Sequence, residues 1–332
     1  EIRVTYNGNF GVTLPDLSSY NLMDAKDKLA AENAAKVYLP RDPEDPNYDM
    51  ILRGNQWYMT QKENSVRKGV NTYWLSQPLR GQFNHKHNVY VEGGSSAMRF
   101  GLELKEDIEN GVMKGSVRKR SSVGLTTQYQ LPKLQLRNQV YFDDVYSTES
   151  PYGSFSDYTS LQPYYPMFDE NTGQYLKTFP DWSGTTIKLN PLYEAGVGNF
   201  TKNNYQEWTD NFTANWYVFD NFFLRGQFAI DYKLANGHKF ISPTSPRYDN
   251  VEIFRKGELN ETTTRQLNWN TNIFGSFNQA FGKNKVNVSA GINALASTDE
   301  FSLAAYRGFP GPGYHSPAHA HEIITKPSLE DN

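Results

Sequence analysis

Apolar and polar residues alternate along residues 211–233, and the alternation is interrupted only by Asp220 and Asn221. Successive side chains of a β-strand point to opposite faces of the sheet, so the pattern predicts two strands that each have one apolar and one polar face. The two-residue break predicts a tight antiparallel hairpin. Both arms are long enough to span a bilayer, which takes roughly 9 to 11 residues of a tilted strand, whereas strands in soluble proteins usually have about 5 or 6. Strand length is therefore the first indication of a membrane protein.

The same two-faced pattern recurs elsewhere and brings the predicted total to roughly nine strands. The further segments are 2–12, 87–92, 98–105, 122–131, 134–142, 266–277 and 285–292. The apolar faces of the clearest segments hold no charged residue, although 21% of the chain is charged. Lipid would enforce this exclusion, because a Lys or Arg that faces mid-bilayer lipid costs about 2–4 kcal/mol. The core of a soluble β-sandwich would enforce it too, so the faces alone leave both folds open.

The connections between these strands are alternately short and long. The short ones are 93–96, 132–133, 220–221 and 279–284, and the long ones are 106–120, 144–206 and 234–262. Outer-membrane barrels have this alternation because their periplasmic turns are tight and their extracellular loops are long. Compact soluble domains rarely tolerate a connection as long as 144–206. The alternation favours an all-β, antiparallel, up-and-down transmembrane barrel segment over a soluble β protein.

One short helix is expected in the first long loop, within residues 21–38. Its apolar residues follow helical spacing, acidic residues come early, and Asn21 or Ser19 is a possible N-cap. A surface helix without a chemical role is the favoured interpretation.

Composition narrows the functional classes. The 332 residues carry a net charge of -3, so no basic excess points to nucleic acid. No segment approaches the roughly 18 apolar residues of a membrane helix, and the mean hydropathy is -0.69. Cysteine is absent, which excludes disulfides and thiolate metal sites. The whole chain, residues 1–332, is interpreted as one β domain.

Aromatic residues are concentrated in the connection 144–206. Rigid rings can stack on sugar C–H surfaces or on apolar peptide side chains. Tyr164, Tyr165 and Trp182 are therefore the candidate substrate-binding residues. The favoured alternative is that a loop of this length needs the rings for a small core of its own.

Other groupings give weaker chemical signals. His315, His319, His321 and Glu322 could converge on a metal ion, but a Pro- and Gly-punctuated loop is the favoured interpretation, and no metal or cofactor is assigned. His85 and His87 share a strand face and are interpreted as structural. The basic segment 114–120 could meet phosphates or an acidic partner, although a solvated loop tip is favoured. Nucleophile-elbow, zinc-protease and phosphate-loop motifs are absent, so no enzyme activity is predicted.

Residues 68–120 resemble the segment that follows the plug in SusC/RagA-type TonB-dependent outer-membrane transporters. The resemblance is carried by Trp74-Leu75, Arg80-Gly81, Phe83, His87-Asn88, Gly93-Gly94 and the run Glu109-Asn110-Gly111-Val112 before Lys114. Residues 3–25 resemble the family's first barrel strand, and residues 308–323 resemble a later loop. The resemblance runs in order along nearly the whole chain.

This resemblance implies a barrel of about 22 strands with a plug inside it. It also implies a SusD-like surface lipoprotein as partner, energy delivered by TonB through the plug, and import of oligosaccharides or peptides across the outer membrane of a Gram-negative, Bacteroidetes-like cell. The plug, the TonB box and more than half of the barrel strands are not found in this sequence. The chain is therefore expected to be the first part of the barrel, and the predicted function belongs to the parent protein.

Three alternatives stay open at this point. The first is a soluble extracellular β protein that binds glycans. The second is a porin-like passive channel, whose full gene would lack a plug. The third, a membrane-embedded hydrolase, would need a Ser/His pair that meets on one rim.

Overall fold

Twelve strands organise the part of the chain that the computed structural model describes, residues 2–179 and 188–331. They are β1 (Ile2–Thr13), β2 (Gln82–Gly94), β3 (Met98–Asn110), β4 (Val117–Gln130), β5 (Leu134–Thr148), β6 (Thr178–Phe179), β7 (Lys188–Leu189), β8 (Phe200–Phe219), β9 (Phe222–Ile241), β10 (Glu258–Phe281), β11 (Asn284–Arg307) and β12 (Glu322–Asp331). Ten of them form one sheet in the order β1-β2-β3-β4-β5-β8-β9-β10-β11-β12, and β6 pairs only with β7. All pairings are antiparallel between sequence neighbours in the sheet, so the predicted up-and-down topology is confirmed.

The strands are longer than the hydrophobic pattern predicts. β10 and β11 have 24 residues each, whereas the alternation covers only 266–277 and 285–292. The predicted strands end where the apolar face becomes polar. The backbone pairing between β10 and β11 continues past those positions. β12 was not predicted, because Pro327 and two consecutive isoleucines disrupt the two-residue period.

Strand register joins the apolar faces into one continuous surface. Leu102 lies opposite Leu125, and Leu125 lies opposite Val140. The same row continues through Asp210, Ile230, Trp269 and Ala296. We call this surface the apolar face and the opposite one the polar face. Two polar exceptions, Asn138 and Asp210, are diagonal neighbours on it, and one side-chain oxygen of each is buried without a hydrogen-bond partner among the described residues.

The connections separate by length to the two ends of the sheet. The short ones, 95–97, 131–133, 220–221 and 282–283, lie at one end. The long ones, 14–81, 111–116, 149–199, 242–257 and 308–321, lie at the other, which we call the rim. The predicted alternation is confirmed, and the long loops are shorter than predicted because the strands extend into them.

The described parts of the rim loops contain four α-helices, whereas the sequence predicted one. They are α1 (Ala25–Ala34), α2 (Tyr48–Arg67), α3 (Phe155–Thr159) and α4 (Pro191–Glu194). α1 falls inside the predicted segment, but its N-cap is Asp24, whose carboxylate accepts a hydrogen bond from the Asp27 backbone N–H at 2.8 Å; the proposed caps were wrong. α2 was not predicted from the sequence, where Gly54 interrupts the helical pattern. No helix among the described residues is long and apolar enough to cross a membrane.

The buried core lies in the rim loops rather than under the sheet. Loops 14–81 and 149–199 pack together into a unit that we call the loop cap. Its core consists of Ala25, Trp74, Leu75, Tyr158, Tyr164, Tyr165, Phe179 and Leu192. A second cluster, Phe240, Leu259 and Phe309, fixes the ends of β9 and β10 to the loop that follows β11. The strands thus present two accessible faces, and the loops are held by cores of their own.

Candidate functional site

The polar face of β1–β5 lines two cavities of about 980 and 670 Å³. Their walls carry charges of both signs. The charged lining residues are Arg3, Lys86, Glu92, Arg99, Glu103, Lys105, Asp107, Arg120, Arg137 and Asp143. These side chains share one face because strand side chains alternate and the register keeps them aligned.

Ion pairs hold much of this wall in place. Arg120 donates two hydrogen bonds to the Asp143 carboxylate, at 3.1 and 2.8 Å, and Ser122 donates a third. Lys86 Nζ lies 2.5 Å from Glu109 and 3.6 Å from Asp107. A bidentate guanidinium–carboxylate pair fixes both geometry and charge, so this part of the wall is a rigid, charged surface.

The polar face of β10 and β11 is different, because neutral amides and hydroxyls are concentrated in the middle of these strands, between the charged Lys285 and Asp299. Asn293 donates to Asn270 at 3.0 Å, and Ser297 donates to Asn268 at 2.6 Å. These groups are both donors and acceptors, which suits hydroxyl- or amide-bearing solutes. One face of the sheet thus offers a charged half and a neutral polar half.

The structure places two of the three predicted substrate-binding residues in the core of the loop cap. Tyr164 is 1% exposed and Tyr165 is 9% exposed. Ser65 and Thr72 donate hydrogen bonds to their backbone carbonyls, at 2.6 and 3.2 Å. A ligand would reach these rings only after the core opened, and their contact with substrate stays a prediction. Trp182 lies outside the described residues.

Tyr164 is also part of a buried ionic network that sequence reasoning missed. Its hydroxyl donates to Glu32 at 2.9 Å, Tyr38 donates to the same carboxylate, and Lys62 Nζ lies 3.4 Å from it. Burial raises the pKa of both tyrosines, and hydrogen bonding to Glu32 raises it further. Burial also lowers the pKa of Lys62, against the opposing effect of Glu32. No local signal links the whole network, since its residues come from three separate segments of the chain: Glu32 and Tyr38 from one, Lys62 from the second and Tyr164 from the third.

A cleft of about 390 Å³ lies at the rim, between the loop cap and the ends of β8 and β9. We call it the rim cleft. α3 and α4 supply one side of it, and the strand ends Phe200–Thr201 and Lys239–Ile241 supply the other. The N-cap Asn190 fixes α4 by accepting from the Leu192 backbone N–H at 3.0 Å, which positions Glu194 at the cleft. The cleft contains both apolar and charged side chains.

The histidines of the 308–321 loop point to separate partners. The His315 ring packs edge-on against Phe200 and Phe240, His319 packs against Tyr314, and His321 packs against Phe254. Glu322 accepts from Arg307 at 2.7 Å, and this contact lowers the pKa of the carboxyl group. Among the described residues no group of three metal-ligating side chains comes together.

The basic segment 114–120 and the pair His85 and His87 are the other two groupings from the sequence. Within the basic segment, Lys114 donates to the Gln77 carbonyl at 2.6 Å, while Arg118 and Arg120 contact Tyr205 and Asp143 on the polar face. His85 and His87 lie 3.1 Å apart on the apolar side of β2. The basic residues therefore do not form one patch at a loop tip.

Comparison with known proteins finds the same fold in part of some solved structures. No family model matches the sequence, and no curated protein matches it. A chain of the RagAB peptide transporter superposes with a TM-score of 0.75 at 16% identity, covering 99% of this chain and 39% of that one. The RagAB peptide importer in its "closed-closed" state superposes with a TM-score of 0.75 at 16% identity, covering 100% of this chain and 39% of that one. In its "open-open" state the TM-score is 0.74 and the identity 15%, covering 100% of this chain and 38% of that one. This chain thus spans about 39% of the length of those chains and shares the fold of that portion.

Proposed function

We propose that the chain is part of the barrel of an outer-membrane nutrient importer. In this proposal the apolar face meets lipid, the polar face lines the lumen, and the rim loops lie at the cell surface. The observation that carries the proposal is the two-faced sheet with all its long connections at one end. The shared fold with the RagAB peptide transporter supports it.

Aromatic side chains mark the border of the apolar face toward the rim. The Phe142 and Trp208 rings lie 4.4 Å apart, and Tyr232 lies opposite Trp208 on the next strand. On the rim side of this row the same face becomes polar, where Gln206 donates to Asp144 at 3.2 Å. Aromatic girdles flank the lipid-facing band of outer-membrane barrels, so this row fits a bilayer interface.

The lipid contact is tested by spin labels on two adjacent residues of β4. These 332 residues contain no cysteine, so Leu125→Cys on the apolar face and Thr126→Cys on the polar face give one attachment site each in a parent protein whose other cysteines are replaced by serine. In native membranes the label at 125 should be accessible to dissolved oxygen and shielded from a water-soluble nickel chelate, with the reverse at 126. Two stacked sheets of a soluble protein would instead shield position 125 from both reagents and overturn the proposal.

The proposed substrates are oligosaccharides or peptides. The neutral amide wall of β10–β11 and the charged wall of β1–β5 both suit polar solutes with many hydrogen-bonding groups. A SusD-like lipoprotein would close the rim, and TonB would drive uptake through a plug domain of the parent protein.

Energy coupling separates an importer from a passive channel. Cells that express the full-length protein should accumulate the substrate against a gradient, and removal of TonB or of the proton-motive force should abolish accumulation. Uptake that continues unchanged without TonB, and that only equalises concentrations, would support the porin-like alternative.

A further inference from the structure

The rim cleft has the size and lining of a small-ligand site. Its volume of about 390 Å³ lies within the roughly 300–1,000 Å³ of typical ligand pockets. Leu161, Pro191 and Phe200 contribute apolar surface, and Lys188, Lys239 and Arg247 contribute positive charge. A ligand that fits both features combines an apolar part with an anionic group.

The two carboxylates in the lining are already occupied. Glu194 accepts hydrogen bonds from Ser245 at 2.7 Å and from Asn199 at 2.8 Å, and Arg247 lies 4.0 Å from it. Asp157 accepts from the Ser154 backbone N–H at 2.9 Å, which caps α3. Glu194 therefore offsets the charge of Arg247, Asp157 stabilises the start of α3, and neither acid forms an ion pair with the two lysines.

Both lysines retain donor capacity. Lys188 Nζ donates to the Ser160 carbonyl at 3.0 Å, and neither lysine has a carboxylate within 4.0 Å among the described residues. An ammonium group has three N–H donors, so each lysine can donate a hydrogen bond to an anionic ligand. Lys239 comes from β9 and Lys188 from β7, so two separate elements supply charge to one cleft.

We propose that the rim cleft binds a carboxylate-bearing solute, with Lys188 and Lys239 as the groups that recognise the carboxylate. The C-terminal carboxylate of a short peptide and the carboxylate of an acidic sugar share this chemistry. The role of the site in uptake rests on the proposed importer function, whereas binding itself does not.

Titration calorimetry on the full-length protein in detergent micelles tests the site at low salt. The probes are the tripeptide Gly-Gly-Phe and its C-terminal amide, and tri-galacturonate and neutral galactotriose. At least one acid should bind, and its neutral counterpart should bind about tenfold or more weakly, because a hydrogen bond to a charged group is lost. Which acid binds identifies the source of the carboxylate.

Variants locate the binding. Lys188→Gln and Lys239→Gln should each weaken binding of the acid about three- to tenfold, and the double variant should weaken it further. Lys233→Gln is the matched control on the same face of the same strand, and it should bind like the parent. Equal affinity for acid and neutral probes, no binding of either acid, or an equal loss in the control would overturn the proposal. Because no transport is measured, failure here leaves the importer proposal standing, and the spin-label result tests that one separately.

Discussion

At the scale of single residues, the loop cap depends on one buried carboxylate. The side chains of Glu32 and Lys62 are only 12% and 10% exposed, and Lys62 also lies over the rings of Tyr38 and Tyr164 at 4.9 and 5.1 Å. A buried charge that loses its partner is strongly destabilising, whereas replacing the whole pair by apolar groups is often neutral. Glu32 thus links α1, α2 and the loop that carries Tyr164.

Glu32→Gln should destabilise the loop cap by about 3 kcal/mol, because Lys62 is left as an unpaired buried cation. Hydrogen exchange of α2 amides should then be about a hundredfold faster. Glu63→Gln, which breaks the exposed pair with Arg67, should change exchange little. The double variant Glu32→Gln/Lys62→Met should recover much of the loss, and equal exchange in all three variants would contradict the role assigned to Glu32.

At the scale of elements, the short turns determine where each hairpin reverses. Gly94 ends β2 with φ +136°, a backbone conformation that residues with a side chain rarely adopt. A Cβ atom there would lie 2.1 Å from the Met98 carbonyl oxygen, inside the same turn. Both features require glycine at this position of the β2–β3 hairpin.

Gly94→Ala should lower the stability of the folded protein by about 1–3 kcal/mol, because backbone strain and a backbone clash occur together. Gly11→Ala is the control, since a Cβ at position 11 would meet nothing within 4 Å. The free energies of unfolding of both variants are measured by urea unfolding in lipid vesicles, with tryptophan fluorescence as the signal. A smaller loss for Gly94→Ala than for Gly11→Ala would contradict this account of the turn.

At the scale of the whole molecule, the proposed function depends on the separation of the two faces. Ile273 on the apolar face of β10 is 48% exposed, which is unusual for isoleucine in water but ordinary in contact with lipid. Its neighbour Asn272 lies on the polar face. Because the two residues are consecutive in β10, they lie at nearly the same depth along the strand. Substitutions at these positions therefore compare the environments of the two faces.

Ile273→Lys should lower the free energy of unfolding in lipid vesicles by about 2–4 kcal/mol, because the variant would place an ammonium group in hydrocarbon. Asn272→Lys should fold nearly as well as the parent, because its side chain would face the water-filled lumen of the proposed barrel. The measurement is the folded fraction against urea in vesicles of fixed lipid composition. Similar losses for both variants would mean that the two faces have the same surroundings.

Much of the fold was predictable because its signal is local. The two faces of β8 and β9 are recorded in residues 211–233 alone. The candidate site was less predictable, because exposure depends on distant packing. Tyr164 and Tyr165 lie in a loop with the composition of a binding loop, yet both are buried in a core that Trp74 joins from loop 14–81, where its ring contacts Phe179. The rim cleft likewise combines Lys188 and Lys239 from strands that no sequence pattern connects.

The sequence by itself determined that the strands have two faces and that short and long connections alternate, since both are properties of consecutive residues. Only the tertiary structure decided how far the strands extend, which loops share a core, and which charges stay paired. The physical reason is that periodicity is encoded along the chain, whereas burial and charge pairing arise between residues such as Glu32 and Tyr164, which meet only when the loops fold onto each other.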